Sequence, residues 1–117
     1  MDNTLRYDCA VDATMSIIGG KWKSTILCLL TKHGKLRFSE LSKKIPPISP
    51  RILSKQLHEL ANDGIVRREE VGTKASRVEY SLTKKGHSLG PVLKCLVRWN
   101  IEHNSEIPRS YLIKINE

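Results

Sequence analysis

A chain of 117 residues, 39% of them apolar and 5% aromatic, is long enough for one domain and too short for a second, since compact domains commonly hold about 100 to 150 residues. Its core is thin for its surface, because small domains bury a smaller share of their area, so an accessory surface such as a dimer interface would help. Lys and Arg number 20 against 12 Asp and Glu, and the net charge of +8 suits a polyanionic partner.

The longest apolar run, Ile26-Leu27-Cys28-Leu29-Leu30, falls far short of the roughly 20 residues that a membrane span needs. The first residues, Met1 to Arg6, lack a signal-peptide profile. The expectation is a cytoplasmic protein, one domain over residues 1–117, with no membrane partner.

In chain order, residues 11–19 carry Val11, Met15 and Ile18 on one helical face, and Gly19-Gly20 breaks the pattern. Residues 21–32 predict a second helix with Trp22, Ile26, Leu29 and Leu30 at i, i+4, i+7 and i+8. His33-Gly34 closes it with a C-cap glycine. Lys35-Leu36-Arg37 is too short for more than a strand fragment. Residues 38–45 form a short helix with Phe38, Leu41 and Ile45 facing inward, and Pro46-Pro47 stops it.

The next element has the clearest boundaries. Ser49 is a good N-cap, Pro50 sits at the favoured first helical position, and Gly64 ends the helix. Leu53, Leu57 and Leu60 form one stripe. At 100° per residue, Arg51, Ser54, Lys55, His58 and Asn62 fall on the far side, a face without a carboxylate.

After Gly64 the period becomes two. Residues 65–71 and 77–82 read as strands, with Val78, Tyr80 and Leu82 alternating against Arg77, Glu79 and Ser81. Residues 72–76 join them, so the pair is a hairpin with a basic tip. Thr83 then caps a long helix bearing Leu89, Val92, Leu93, Leu96 and Trp99, which runs to about Asn104 and bends at Pro91 near Gly90. In the tail, residues 105–117, Tyr111, Ile113 and Ile115 alternate like a strand.

Two helices joined by a tight turn, the second capped and polar on one face, followed by a basic hairpin, make a winged helix-turn-helix: a mainly α fold with a small antiparallel β wing. The major groove, about 12 Å wide, admits one helix, and side chains near its N-terminus reach base edges. Residues 49–63 are the expected recognition helix, with Ser49, Pro50, Arg51, Ser54, Lys55 and His58 as candidate contacts. Arg51 suits bidentate bonds to guanine O6 and N7. Ser54, Lys55 and His58 suit bases or phosphates alike. Residues 38–45 are the positioning helix, with Arg37 on its flank.

From Lys35 to His58 there are Lys35, Arg37, Lys43, Lys44, Arg51 and Lys55 against Glu40 alone. Lys74 and Arg77 near the hairpin tip are placed to flank a minor groove or its phosphates. Arg67 and Arg68 adjoin Glu69 and Glu70, which offset them.

The strings Cys9 to Trp22 (CAVDATMSIIGGKW), Arg37-Phe38-Ser39-Glu40-Leu41, Ile48-Ser49-Pro50-Arg51-Ile52-Leu53-Ser54, and Val78-Glu79-Tyr80-Ser81-Leu82-Thr83 with Gly86 resemble the HxlR-type regulators. These are small MarR-like winged helix-turn-helix transcription factors. The resemblance runs in order from about Cys9 to Trp99. It implies a homodimer on a pseudo-palindromic operator in double-stranded DNA, with dimerisation helices at about residues 9–19 and 83–104. Ala10 stands where the family usually has proline after the first cysteine, and Ala75-Ser76 stands where it has Pro-Pro.

The resemblance also makes Cys9 a candidate redox residue, because several members sense quinones, aldehydes or oxidants through a cysteine here. A small-molecule or electrophile effector is the partner this implies. A position just before a helix favours a thiolate, whereas Asp8 and Asp12 oppose it. Cys95 is a candidate to meet Cys9 across a dimer, and Cys28 reads as core packing. The three cysteines show no C-x-x-C spacing, which argues against a zinc knuckle. His33, His58, His87 and His103 form no H-x-x-x-H or H-E-x-x-H pattern. No metal site, cofactor or enzymatic activity is expected, since no nucleophile elbow or phosphate loop appears either. Trp22 and Trp99 read as core and interface anchors. The alternatives to a sequence-specific regulator are a winged-helix protein-interaction module and a nonspecific architectural DNA binder.

Overall fold

A computed structural model describes residues 9–72 and 77–104. The order is α1 (Ala10–Ile18), α2 (Lys23–His33), β1 (Lys35–Arg37), α3 (Phe38–Lys44), α4 (Pro50–Asn62), β2 (Val66–Glu70), β3 (Val78–Leu82), α5 (Lys84–His87) and α6 (Gly90–His103). Helices α2, α3 and α4 close around one apolar core. Ile26, Leu27 and Leu30 come from α2, Leu41 from α3, and Leu53, Leu57 and Leu60 from α4, all fully buried. The leucine spacing in α4 is what lets one stripe enter the core while the opposite side stays in water.

The fragment Lys35-Leu36-Arg37 is a three-residue strand, no longer than its sequence led one to expect. It pairs antiparallel with β3, placing Leu36 opposite Tyr80, and the sheet order is β1-β3-β2. On the other side of β3 the hairpin register sets Val66 against Leu82 and Arg68 against Tyr80. Leu36, Tyr80, Val66 and Leu82 are buried, so this face of the sheet covers the helical core. The tip residues 73–76, including Lys74, and the alternating tail, residues 105–117, lie outside the described residues.

Thr83 buckles the wing to the end of α4. Its hydroxyl donates to the Gly64 carbonyl and accepts from the Gly86 N–H at 3.0 Å. At Gly86 a Cβ would collide with the carbonyl oxygen of Ile65, which explains a glycine inside a helical turn.

The helix expected to run unbroken from Thr83 is instead two. Helix α5 stops at His87, and α6 starts at Gly90 with proline in its first turn. Pro91 has no N–H to donate, and its ring would clash with the carbonyl four residues back, that of His87. The helix therefore breaks where a bend was expected. Trp22 packs against the core as expected, whereas Trp99 is 60% exposed on this chain and stacks on His103 with ring centroids 4.8 Å apart. Among the described residues no helix is long and apolar enough to cross a membrane.

Candidate nucleic-acid interface

Helix α4 begins where its sequence says it should. The Ser49 hydroxyl accepts from the Ile52 N–H at 3.2 Å, and Pro50 occupies the first turn, where a missing N–H costs nothing. With the buried leucines fixing its rotation, Arg51, Ser54, Lys55 and His58 all stand exposed. The Asn62 side-chain amide lies 3.2 Å from His58 Nε2, a hydrogen bond that steadies the imidazole.

No carboxylate competes on that face. Glu59, on the same helix, turns away to Lys23 of α2 at 2.8 Å. The ion pair holds the Glu59 carboxyl below the ordinary glutamate range, chiefly through the hydrogen bond from Lys23. Glu40 is likewise engaged, accepting from the Arg37 N–H at 2.8 Å at the start of α3. The exposed cations Arg37, Lys43, Lys44, Arg51 and Lys55 are carried by this helix pair and its approach.

Two clefts run between this helix pair and the wing. One, about 380 Å³, is lined by Arg37, Phe38, Ser39, Arg68, Val78 and Tyr80. The other, about 120 Å³, is lined by Ser54, Leu57, His58, Ala61, Arg68 and Tyr80. The structure thus brings Arg37, Ser54 and His58 around a common wall. Arg77 is exposed just before β3, and Lys74 lies outside the described residues.

Arg68 was discounted in the sequence because of its acidic neighbours, yet it lines both clefts and stands 3.8 Å from Glu70 at the nearest atoms. Strand alternation carried the missing signal. Arg68 shares a sheet face with Val66 and faces Tyr80 across the ladder, whereas Arg67 and Glu69 point the other way. Cys9 is exposed at the N-cap of α1, in extended backbone and with no side-chain capping bond.

What this face can do chemically is bind a long, regular polyanion: a capped helix with donors at its N-terminal end, cations around it, and a strand pair beside it. Comparison with known proteins agrees. The family model for the HxlR-like helix-turn-helix matches residues 17–108. An uncharacterised HTH-type transcriptional regulator of Methanothermobacter thermautotrophicus is 46% identical over 99 residues, covering 85% of this chain and 75% of that one. The crystal structure of the regulator YtcD, a protein of Bacillus subtilis, is similar with a TM-score of 0.75 and 42% identity, covering 84% of this chain and 99% of that one. The redox regulator HypR in its reduced form is similar with a TM-score of 0.74 and 40% identity, covering 88% of this chain and all of that one. The family match spans most of the chain and the relatives are regulators of one kind, and this chain belongs to the HxlR-like helix-turn-helix family of transcriptional regulators.

Proposed function

We propose that the chain works as a homodimer that reads a pseudo-palindromic operator, with the two α4 helices in successive major grooves about 34 Å apart. The observation that carries this is the exposed, carboxylate-free side of α4, where Arg51, Ser54, Lys55 and His58 stand together. Arg51 reads a guanine edge, and Ser54, Lys55 and His58 divide base and phosphate contacts between them. The Ser49 hydroxyl, already accepting from Ile52, keeps its own proton for a phosphate, and Pro50 shapes the helix entry. Arg37, Arg77 and Lys74 hold the flanking backbone.

A second copy fits an apolar surface that the monomer leaves open. Val11 and Met15 on α1, and Val92, Leu96, Trp99 and Ile101 on α6, are each at least 45% exposed. Scattered exposed apolar residues need no explanation, but Val92, Leu96 and Trp99 share one face of α6 and make a stripe that asks for cover.

Selection of binding sites from random duplex DNA tests the proposal. Enrichment of a two-fold symmetric motif is expected. Equal recovery of all sequences would favour an architectural DNA binder, and no recovery at low salt would favour a protein-interaction module, because phosphate neutralisation makes true DNA binding strongest there.

A redox input through Cys9 is the accompanying proposal. It is supported by the exposure of Cys9 at the start of α1 and by the similarity to HypR, a redox regulator solved in oxidised and reduced forms. Mass spectrometry after quinone or peroxide treatment is expected to find the modification on Cys9. An unmodified Cys9 under conditions that abolish DNA binding would remove it as the sensor.

A further inference from the structure

Lys23 breaks two local rules. It is the first residue of α2, where a cation opposes the helix dipole, and it is buried to 7% exposure, where lysine is rarely found without a partner. Among the described residues no other charged or polar side chain is classed with the buried ones. Departures of this kind tend to mark sites that do something beyond folding.

Its ammonium reaches across two helices. Lys23 Nζ lies 2.8 Å from Glu59 Oε1 on α4 and donates to the Ser16 carbonyl of α1 at 3.5 Å. That carbonyl belongs to the last turn of α1, where backbone acceptors have no helical partner and a cation is favoured. Helix α1 is otherwise lightly attached, with Ile18 its single buried residue while Val11 and Met15 face outward. Glu59 adjoins His58 and lies one turn beyond Lys55, on the flank of the exposed face of α4. The bond therefore holds the reading helix from its flank.

Stability is a weak reason for such a pair. Taking an ammonium out of water is costly before any partner offsets it, and ion pairs with one buried member are often no better than apolar replacements. Fixing one register among several is the better-attested use of a buried charge.

We propose that Lys23 is a positioning residue for DNA recognition, tying the C-terminal end of α1 to Glu59 of α4 and so setting the half-site spacing that the dimer accepts. This rests on the homodimer reading above, in which α1 belongs to the dimer surface.

The test uses the full chain and operators whose half-sites are moved apart or together by one base pair. Lys23→Met keeps the apolar stem and removes the ammonium, and Glu59, with 38% of its side chain exposed, stays hydrated when left alone. Lys23→Arg keeps the charge. Wild type and Lys23→Arg are expected to prefer one spacing, while Lys23→Met loses about fivefold or more of that preference. Its affinity for an isolated half-site and its dimerisation by sedimentation equilibrium are expected to stay unchanged.

Unaltered spacing preference in a folded Lys23→Met variant overturns the proposal. So does an equal loss on every spacing and on the isolated half-site, which would mean that Lys23 only keeps α4 in shape. A wild-type chain that sediments as a monomer at binding concentrations overturns the homodimer reading itself, and sedimentation separates that failure from the other two. If circular dichroism shows Lys23→Met unfolded, Glu59→Gln removes the opposing charge at constant shape, with the same outcomes expected.

Discussion

Helices α4 and α6 are nearly the same length, 13 and 14 residues, and each has proline in its first turn. Their apolar stripes meet opposite fates. Leu53, Leu57 and Leu60 of α4 are at most 1% exposed, while α6 buries no residue and leaves Leu96 and Trp99 more than half exposed. An amphipathic pattern states that a face needs cover. It does not state whether the cover lies in the same chain. The contrast separates a face covered by its own chain from one that, beyond Leu93, is left open for the second copy proposed above.

The strongest way to break that contrast is at Leu57. Leu57→Ala is expected to cost about 2 to 5 kcal/mol in chemical denaturation, the transfer loss plus the cavity left behind. A cost under about 1 kcal/mol would mean that the α4 stripe is no better packed than that of α6.

On the opposite side of the same helix, Arg51→Ala is expected to lower operator affinity by about 1 to 3 kcal/mol and relax selectivity at one base pair, with folding unaffected. Equilibrium binding to matched and singly altered operators measures both. Unchanged affinity would remove Arg51 from the interface.

Smaller still is Leu96→Ala on α6. In dilute protein it is expected to change folding stability by no more than about 0.5 kcal/mol, as for other exposed positions. Its effect appears in the concentration dependence of Tm, which should flatten as the dimer weakens. A large loss in dilute solution would show that α6 is covered by its own chain after all.

The smallest effect concerns pH. The Glu59 carboxyl lies below its ordinary range, so its pair with Lys23 adds stability above about pH 4.3, the unfolded glutamate value. That contribution is lost as pH falls through the lower, folded value. Acid titration of wild type against Glu59→Gln should therefore converge at low pH, and parallel curves throughout would leave the pair without an energetic role.

Local chemistry explains what was legible beforehand. Helix α4 was readable at both ends because Ser49, Pro50 and Gly64 carry their own stop and start signals. Strand β1 was not, since three residues cannot show a period, and its identity comes from pairing with β3, distant in sequence. The break between α5 and α6 was half legible: Pro91 announced a disturbance, but the collision with the turn before it decides between a bend and an interruption. Arg68 was masked by Glu69 and Glu70, which a linear count of charge sums together and a pleated strand partly separates. Nothing in the sequence around Trp22 distinguishes Lys23 from Lys21, and only the bonds to α1 and α4 go with its burial. Lys21 keeps the ordinary role, its ammonium 4.9 Å from the Trp22 ring centroid.

Strand β1 passes into α3 without a loop. Arg37 ends the strand, Phe38 starts the helix, and the Arg37 N–H is fastened to Glu40. Because β1 is laced to β3, and β3 to β2, the positioning helix and the base of the wing are one stiff piece. Such a joint transmits force and does not absorb it. A duplex whose curvature or groove width fails to match must itself yield, at a cost set by base steps that no side chain touches. Under the proposed dimer reading, operators are graded by the suppleness of their untouched central pairs as well as by the letters that are read.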